Sequence, residues 1–197
     1  LAGQVVYIVC ATAIYTVAIL LSTILICGQR CYVGNIWSET AVKLAFTSAG
    51  KKLSLAASEK TLELTRPYAC MTTMFFLLFA YALVMVLLIF WFRILWNELA
   101  GMIAGVVFNG ISFIFSPGIL QKLLGISERK SYLANVAAGW ISPLSHATYH
   151  LHNFGYDRLP SLRDSGIYDM VLVIMLILLN LYSIRTYHFV FDGTGER

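Results

Sequence analysis

Residues 67–92 read PYACMTTMFFLLFAYALVMVLLIFWF, 26 positions without an Asp, Glu, Lys or Arg. A helix needs about 20 predominantly apolar residues to cross a bilayer core, and this run exceeds that. Its end is aromatic: Phe90, Trp91 and Phe92, with Trp96 just beyond, read as the belt that amphipathic rings form at a membrane interface. Working outward, residues 1–29 also lack formal charge, and 5–27 alone suffice for a crossing. Arg93 and Glu98 bracket a tight turn, after which 99–121 form a third uncharged run. The last span is expected at roughly 167–187, with Asp169 and Arg185 near its two ends. We therefore expect four spans.

Bulk composition agrees. Of 197 residues, 59% are apolar and 12% charged, with a mean hydropathy of +0.76. Soluble domains carry about 25% charged residues, so too little charge is present to cover a water-facing surface. A disordered chain, a nucleic-acid module and an ordinary soluble enzyme are excluded. The net charge of +4 is mild and scattered, unlike a nucleic-acid surface. It suits loops beside an anionic inner leaflet. The four cysteines, Cys10, Cys27, Cys31 and Cys70, form no CxxC pair and read as small buried hydrophobes. Leu1 rather than Met opens the chain, so upstream residues are expected.

The loops are unequal. Residues 28–70 hold six basic groups (Arg30, Lys43, Lys51, Lys52, Lys60, Arg66) out of 14, which places that segment in the cytoplasm by the positive-inside rule. From 38 to 64 it is rich in helix formers, with Leu44, Leu55 and Leu62 as apolar positions and Gly50 as a break. An amphipathic helix there would lie on the membrane surface or pack on another subunit. Residues 131–156 also lack formal charge but contain Gly139, Pro143, Asn135 and three histidines. Unsatisfied polar groups cost several kcal/mol in hydrocarbon. A helix pair buried in protein therefore fits this region better than a plain crossing.

Chemistry-bearing residues are few. In Ser145-His146-Ala147-Thr148-Tyr149-His150-Leu151-His152, a helix would put His146 and His150 on one face, a spacing metal sites use. Membrane di-iron oxygenases use several such boxes. Only His188 remains elsewhere, no HExxH occurs, and the nearest acid is Asp157. No metal site is expected. Thr47-Ser48-Ala49-Gly50-Lys51-Lys52 falls short of a phosphate loop, with Ala45 where the leading glycine belongs and Lys52 where Ser or Thr belongs. The chain is not expected to bind ATP itself. Gly101 and Gly105 form a small-xxx-small pair that lets helices approach closely. Asn109, in the same run, suits an interhelical hydrogen bond or a substrate path.

Two segments resemble the permease subunits of type-2 ABC exporters. Glu59-Lys60-Thr61-Leu62-Glu63-Leu64-Thr65-Arg66-Pro67 is similar to the family's cytoplasmic E-(K/R)-G-T-L-E-L-L-x-x-x-P signature, without its glycine. Phe115-Ser116-Pro117-Gly118 resembles the outer end of the penultimate span. Ile141-Ser142-Pro143-Leu144-Ser145-His146-Ala147 resembles the N-P-L-x-Y-A element of the re-entrant hairpin. The resemblance implies an all-α fold: one polytopic membrane helical bundle, 1–197, with a cytoplasmic amphipathic coupling helix within 40–66. A re-entrant hairpin, 132–150, would precede the last span near the outer face, with Pro143, His146, Tyr149 and His150 in it. Glu59, Lys60, Leu62 and Glu63 would contact a separate ATP-binding-cassette ATPase that carries ATP and Mg. A second permease subunit and membrane lipids complete the expected partners, in a bacterial plasma membrane.

On this reading the chain is a non-enzymatic half of an ATP-driven exporter. Ionisable residues are scarce in its spans, which favours a lipid-like, peptide or amphiphilic drug substrate over an ion. The alternatives are a histidine-metal membrane enzyme acting on a lipid, resting on His146, His150 and His152, and an accessory subunit of a larger membrane complex.

Overall fold

The computed structural model describes residues 2–27, 29–37, 39, 43, 64–115, 117–125, 127, 131–149, 152–153 and 158–186. Every regular element among them is helical: α1 Ala2–Cys27, α2 Gln29–Val33, α3 Pro67–Leu95, α4 Glu98–Ile114, α5 Pro117–Leu123, α6 Ser131–Ile141, α7 Pro143–His146 and α8 Leu162–Thr186. Three of these, α1, α3 and α8, are long and apolar enough to cross a membrane.

α1 keeps its hydroxyls out of hydrocarbon by bonding them to its own backbone. Thr16 donates to the Thr12 carbonyl at 2.8 Å, Ser22 to that of Ala18 at 2.7 Å, and Thr23 to that of Ile19. Of its described side chains only Ile8 and Thr12 are buried. The rest suit lipid or neighbouring helices, since lipid tails are as apolar as leucine.

α3 begins where proline permits. Arg66 is extended, as a residue before proline prefers, and Pro67 occupies the first turn, where its missing N–H is not needed. The helix stops at Trp96, and the Asn97 side chain caps α4 by accepting the Ala100 N–H at 2.8 Å. Arg93 and Glu98 do bracket this turn, with an ion pair at 3.4 Å. α4 returns along α3: Gly101 and Gly105 face Ile89, and Tyr81 donates to Asn109 Oδ1 at 2.6 Å.

The third uncharged run is not one long helix. α4 has 17 residues and ends at Ile114, and α5 is a separate element. Pro117 accounts for the break, because proline has no N–H to donate to a continuing helix. The expected third span is thus a shorter apolar helix followed by a break. The last span also starts earlier than the expected 167. Ser161 and Asp164 cap it reciprocally: the Ser161 N–H donates to Asp164 Oδ2 at 2.9 Å, and the Asp164 N–H to Ser161 Oγ at 3.2 Å. The cap sets the first turn at Leu162 and places Asp169 two turns inside the helix.

α8 lies parallel to α3. Val84, Leu87 and Leu176 form their shared core, with Leu83, Trp91, Leu172 and Val173 against it. Two polar side chains fix the register across this apolar seam: Trp91 Nε1 donates to Ser183 Oγ at 3.1 Å, and Asn180 Nδ2 to the Leu87 carbonyl at 3.1 Å. A smaller core of Leu120, Ala134 and Ala138 joins α5 to α6.

α6 has 11 residues and α7 four, lengths of about 16 and 6 Å at a helical rise. Neither crosses a bilayer of about 30 Å. The pair sits at one end of the bundle, where α3 and α8 start and α4 ends. Ser142 Oγ donates to the Ser112 carbonyl at 3.4 Å there. Residues 35–37 reach the same end: Trp37 Nε1 donates to the Thr65 carbonyl at 2.8 Å, and the Tyr68 N–H to Asn35 Oδ1 at 3.1 Å. Two expectations now collide. The basic count puts residues 28–70 in the cytoplasm, whereas the resemblance puts the helix pair at the outer face, yet the two share one end.

Candidate functional site

The Ile141–Ala147 stretch turns sharply because Ser142 is extended ahead of Pro143, which starts the single turn of α7. α7 ends at His146. His146 and His150 are therefore not carried by one continuous α-helix, and His150 lies outside the described residues. Among the described residues, the histidine that shares a partner with His146 is His152. Both converge on a residue 13 to 19 positions downstream, Ser165 in the first turns of α8: His146 Nδ1 and His152 Nε2 each lie 2.8 Å from Ser165 Oγ. All three are buried, at 1%, 1% and 0% exposure.

The outer ring nitrogens face carbonyls. His146 Nε2 is 3.1 Å from the Trp140 carbonyl, and His152 Nδ1 is 2.9 and 3.1 Å from those of Thr148 and Tyr149. Carbonyls only accept, so both outer nitrogens carry hydrogens. Ser165 then has one hydroxyl proton for two inner nitrogens. Over these bonds, two neutral rings leave one nitrogen lone pair facing the hydroxyl oxygen, and one added proton completes the chain. Burial pushes the His146 pKa below its usual value, partly offset by the Trp140 carbonyl and the Asp164 charge. His146 is thus the neutral ring, taking the serine proton on Nδ1. The Tyr168 ring stacks on His146 at 4.0 Å and 13°. Chemically the cluster can hold one proton and pass it between rings by rotation of a hydroxyl. No group of three or more His, Cys, Asp or Glu able to hold a metal occurs among the described residues.

Beside this cluster, Tyr149 is buried and reaches the Thr65 hydroxyl. Burial raises its phenol pKa and the Thr65 bond partly offsets that. Thr65 also takes the Trp37 indole on its carbonyl, so the end of the Glu59–Pro67 signature is held between Trp37 and Tyr149. Pro143 and Ser145 are buried in the same corner. The expected ATPase contacts Glu59, Lys60, Leu62 and Glu63, and most of the expected coupling helix, lie outside the described residues.

Gly101, Gly105 and Asn109 lie elsewhere, on the α3-facing side of α4. A Cβ on Gly101 would come within 2.7 Å of the Ile89 carbonyl oxygen, and one on Gly105 within 2.9 Å of Ile89 Cδ1. Asn109 binds Tyr81, the Met85 sulfur at 3.2 Å and the Gly105 carbonyl at 3.3 Å. These are packing contacts within the chain.

Sequence reasoning passed over Ser165, Tyr168 and Asp169. A lone serine at a span's edge carries no signal, but the Ser161-x-x-Asp164 cap, legible in sequence, would have drawn Asp169 into the helix. There it is 6% exposed and lines a cavity of about 430 Å³ between α3 and α8. Compared with known proteins, the chain matches no family model, no curated protein and no solved structure.

Proposed function

We propose that this chain is a membrane-spanning permease subunit of an ABC-type exporter, driven by ATP hydrolysis on a separate subunit. The observation that carries the reading is the contact of Tyr149 with Thr65. It joins the two stretches on which the resemblance rests, the signature ending at Pro67 and the bent pair around Pro143. A push on the loop before α3 would then reach α7 and, through Ser165, the start of α8. Rigid-body motion of packed helices is how such a push moves a bundle. The large apolar side chains exposed along α1 and α8 suit lipid and a second permease subunit.

Mild-detergent purification from the native membrane tests this. An ATP-binding-cassette subunit should copurify, and the paired reversal Glu59→Lys with Glu63→Lys should abolish its retention while leaving the chain in the membrane. Absence of any such ATPase from the wild-type preparation sinks the reading.

A further inference from the structure

Asp169 is an acid inside a membrane-length helix, 6% exposed, and no hydrogen bond or ion pair reaches it among the described residues. Intramembrane carboxylates are costly and are normally paired with a cation, a backbone group or water. The charged neighbours on α8 do not serve. Arg163 is exposed, and Asp164 is occupied by Ser161 in the helix cap. α3 offers no basic group within its apolar run, its cations being Arg93 near the far end and Arg66 just before its start.

What Asp169 meets instead is the cavity of about 430 Å³ between α3 and α8. Its walls include Phe76, Phe79, Leu83 and Met170, with Thr73 as a polar neighbour. Gly166, one turn before Met170, also lines it and borders open space. A Cβ there would meet nothing within 4 Å. Such a volume lies in the range of small-molecule sites, about 300–1,000 Å³.

From this juxtaposition we infer that Asp169 and the α3–α8 cavity bind an organic monocation with an apolar body. The carboxylate supplies the single counter-charge, and Phe76 and Phe79 supply ring faces that attract cations. One carboxylate and one hydroxyl are too few for a bare metal ion, since hard cations such as calcium take about six to eight oxygens. An anion would be repelled, and a neutral amphiphile would leave the charge unpaired. The inference rests on the permease reading only in naming this ligand a substrate. It narrows the expected lipid-like, peptide or amphiphilic drug to the lipophilic cation.

The test is equilibrium binding of radiolabelled tetraphenylphosphonium to the purified full chain in nanodiscs, with tetraphenylborate, an anion of the same shape, as competitor. Saturable binding is expected. Asp169→Asn should weaken it about tenfold or more, as loss of a buried charge pair does, while Asp169→Glu should largely preserve it. Gly166→Leu, which places a bulky side chain at the cavity wall and leaves the carboxylate, should weaken it. Tetraphenylborate should not compete. No saturable binding by the wild-type chain, equal affinity in Asp169→Asn, or competition by the anion would each overturn the inference. Since binding needs no ATPase, cation binding without a copurifying ATPase removes the permease reading alone, and the reverse pattern removes the cation site alone.

Discussion

The hydroxyl of Ser165 serves two buried imidazoles with one proton, and that shortage governs how the site responds to acid. With both outer ring nitrogens facing carbonyls, a doubly charged pair would leave the serine proton without an acceptor at either inner nitrogen. The depressed pKa of His146 has a definite sign in stability. Its contribution is complete above 6.5, the ordinary value, and is lost as pH falls, since the unfolded chain takes up a proton that the folded chain refuses. Thermal unfolding in detergent should show stability decreasing below that pH, by at most about 1.4 kcal/mol per pH unit for this one group. His146→Asn should flatten the slope. A wild-type curve with no slope there would show that His146 titrates normally. Only half of this site was legible in the chain: Pro143 and the histidines stand out, but nothing pointed to Ser165 as the residue that His146 and His152 share. A spacing of four implies a shared face only while the helix continues, and α7 stops after one turn.

At the scale of the element, glycine and proline decide most. Gly101 approaches backbone and Gly105 approaches a flexible side-chain end, so identical substitutions should differ. Gly101→Ala is expected to destabilise by about 1–3 kcal/mol, the range for overpacking against groups that cannot move aside. Gly105→Ala should cost less, because the Ile89 terminal methyl can rotate away. Unfolding of both variants in the same detergent checks the order, and equal losses would argue that the two helices separate freely. The small-xxx-small spacing was readable in advance, but whether it served this chain or a partner was not, since spacing does not name the opposing helix. The break at Pro117 was also open to reading. An uncharged run reports solubility in lipid rather than helical continuity, so 99–121 looked like a span although its proline divides it.

For the whole molecule, orientation follows from which ends coincide. The starts of α3 and α8, the end of α4 and the α6–α7 pair share one end with the exit of α1, and the Trp96 turn and Arg185 lie at the other. Arg30, Arg66, Lys122, Arg158 and Arg163 are at the first end or in the loops leaving it, so the positive-inside rule predicts that this end faces the cytoplasm. Alkaline phosphatase fused after Thr186 should then be active and green fluorescent protein fused there dark. The opposite result would put the helix pair at the outer face, as the exporter resemblance implies. The amino-acid sequence by itself determined that this is a helical membrane protein and where its apolar helices lie, because both depend on local quantities: uncharged length, proline and cap residues. Tertiary structure alone decided that His146 meets His152 through Ser165, that Tyr149 meets Thr65, and that Asp169 faces a cavity without a counter-charge. Those are encounters between residues from 13 positions apart, His152 and Ser165, upward. No local pattern encodes them, since they arise only when α3, α7 and α8 pack into one corner.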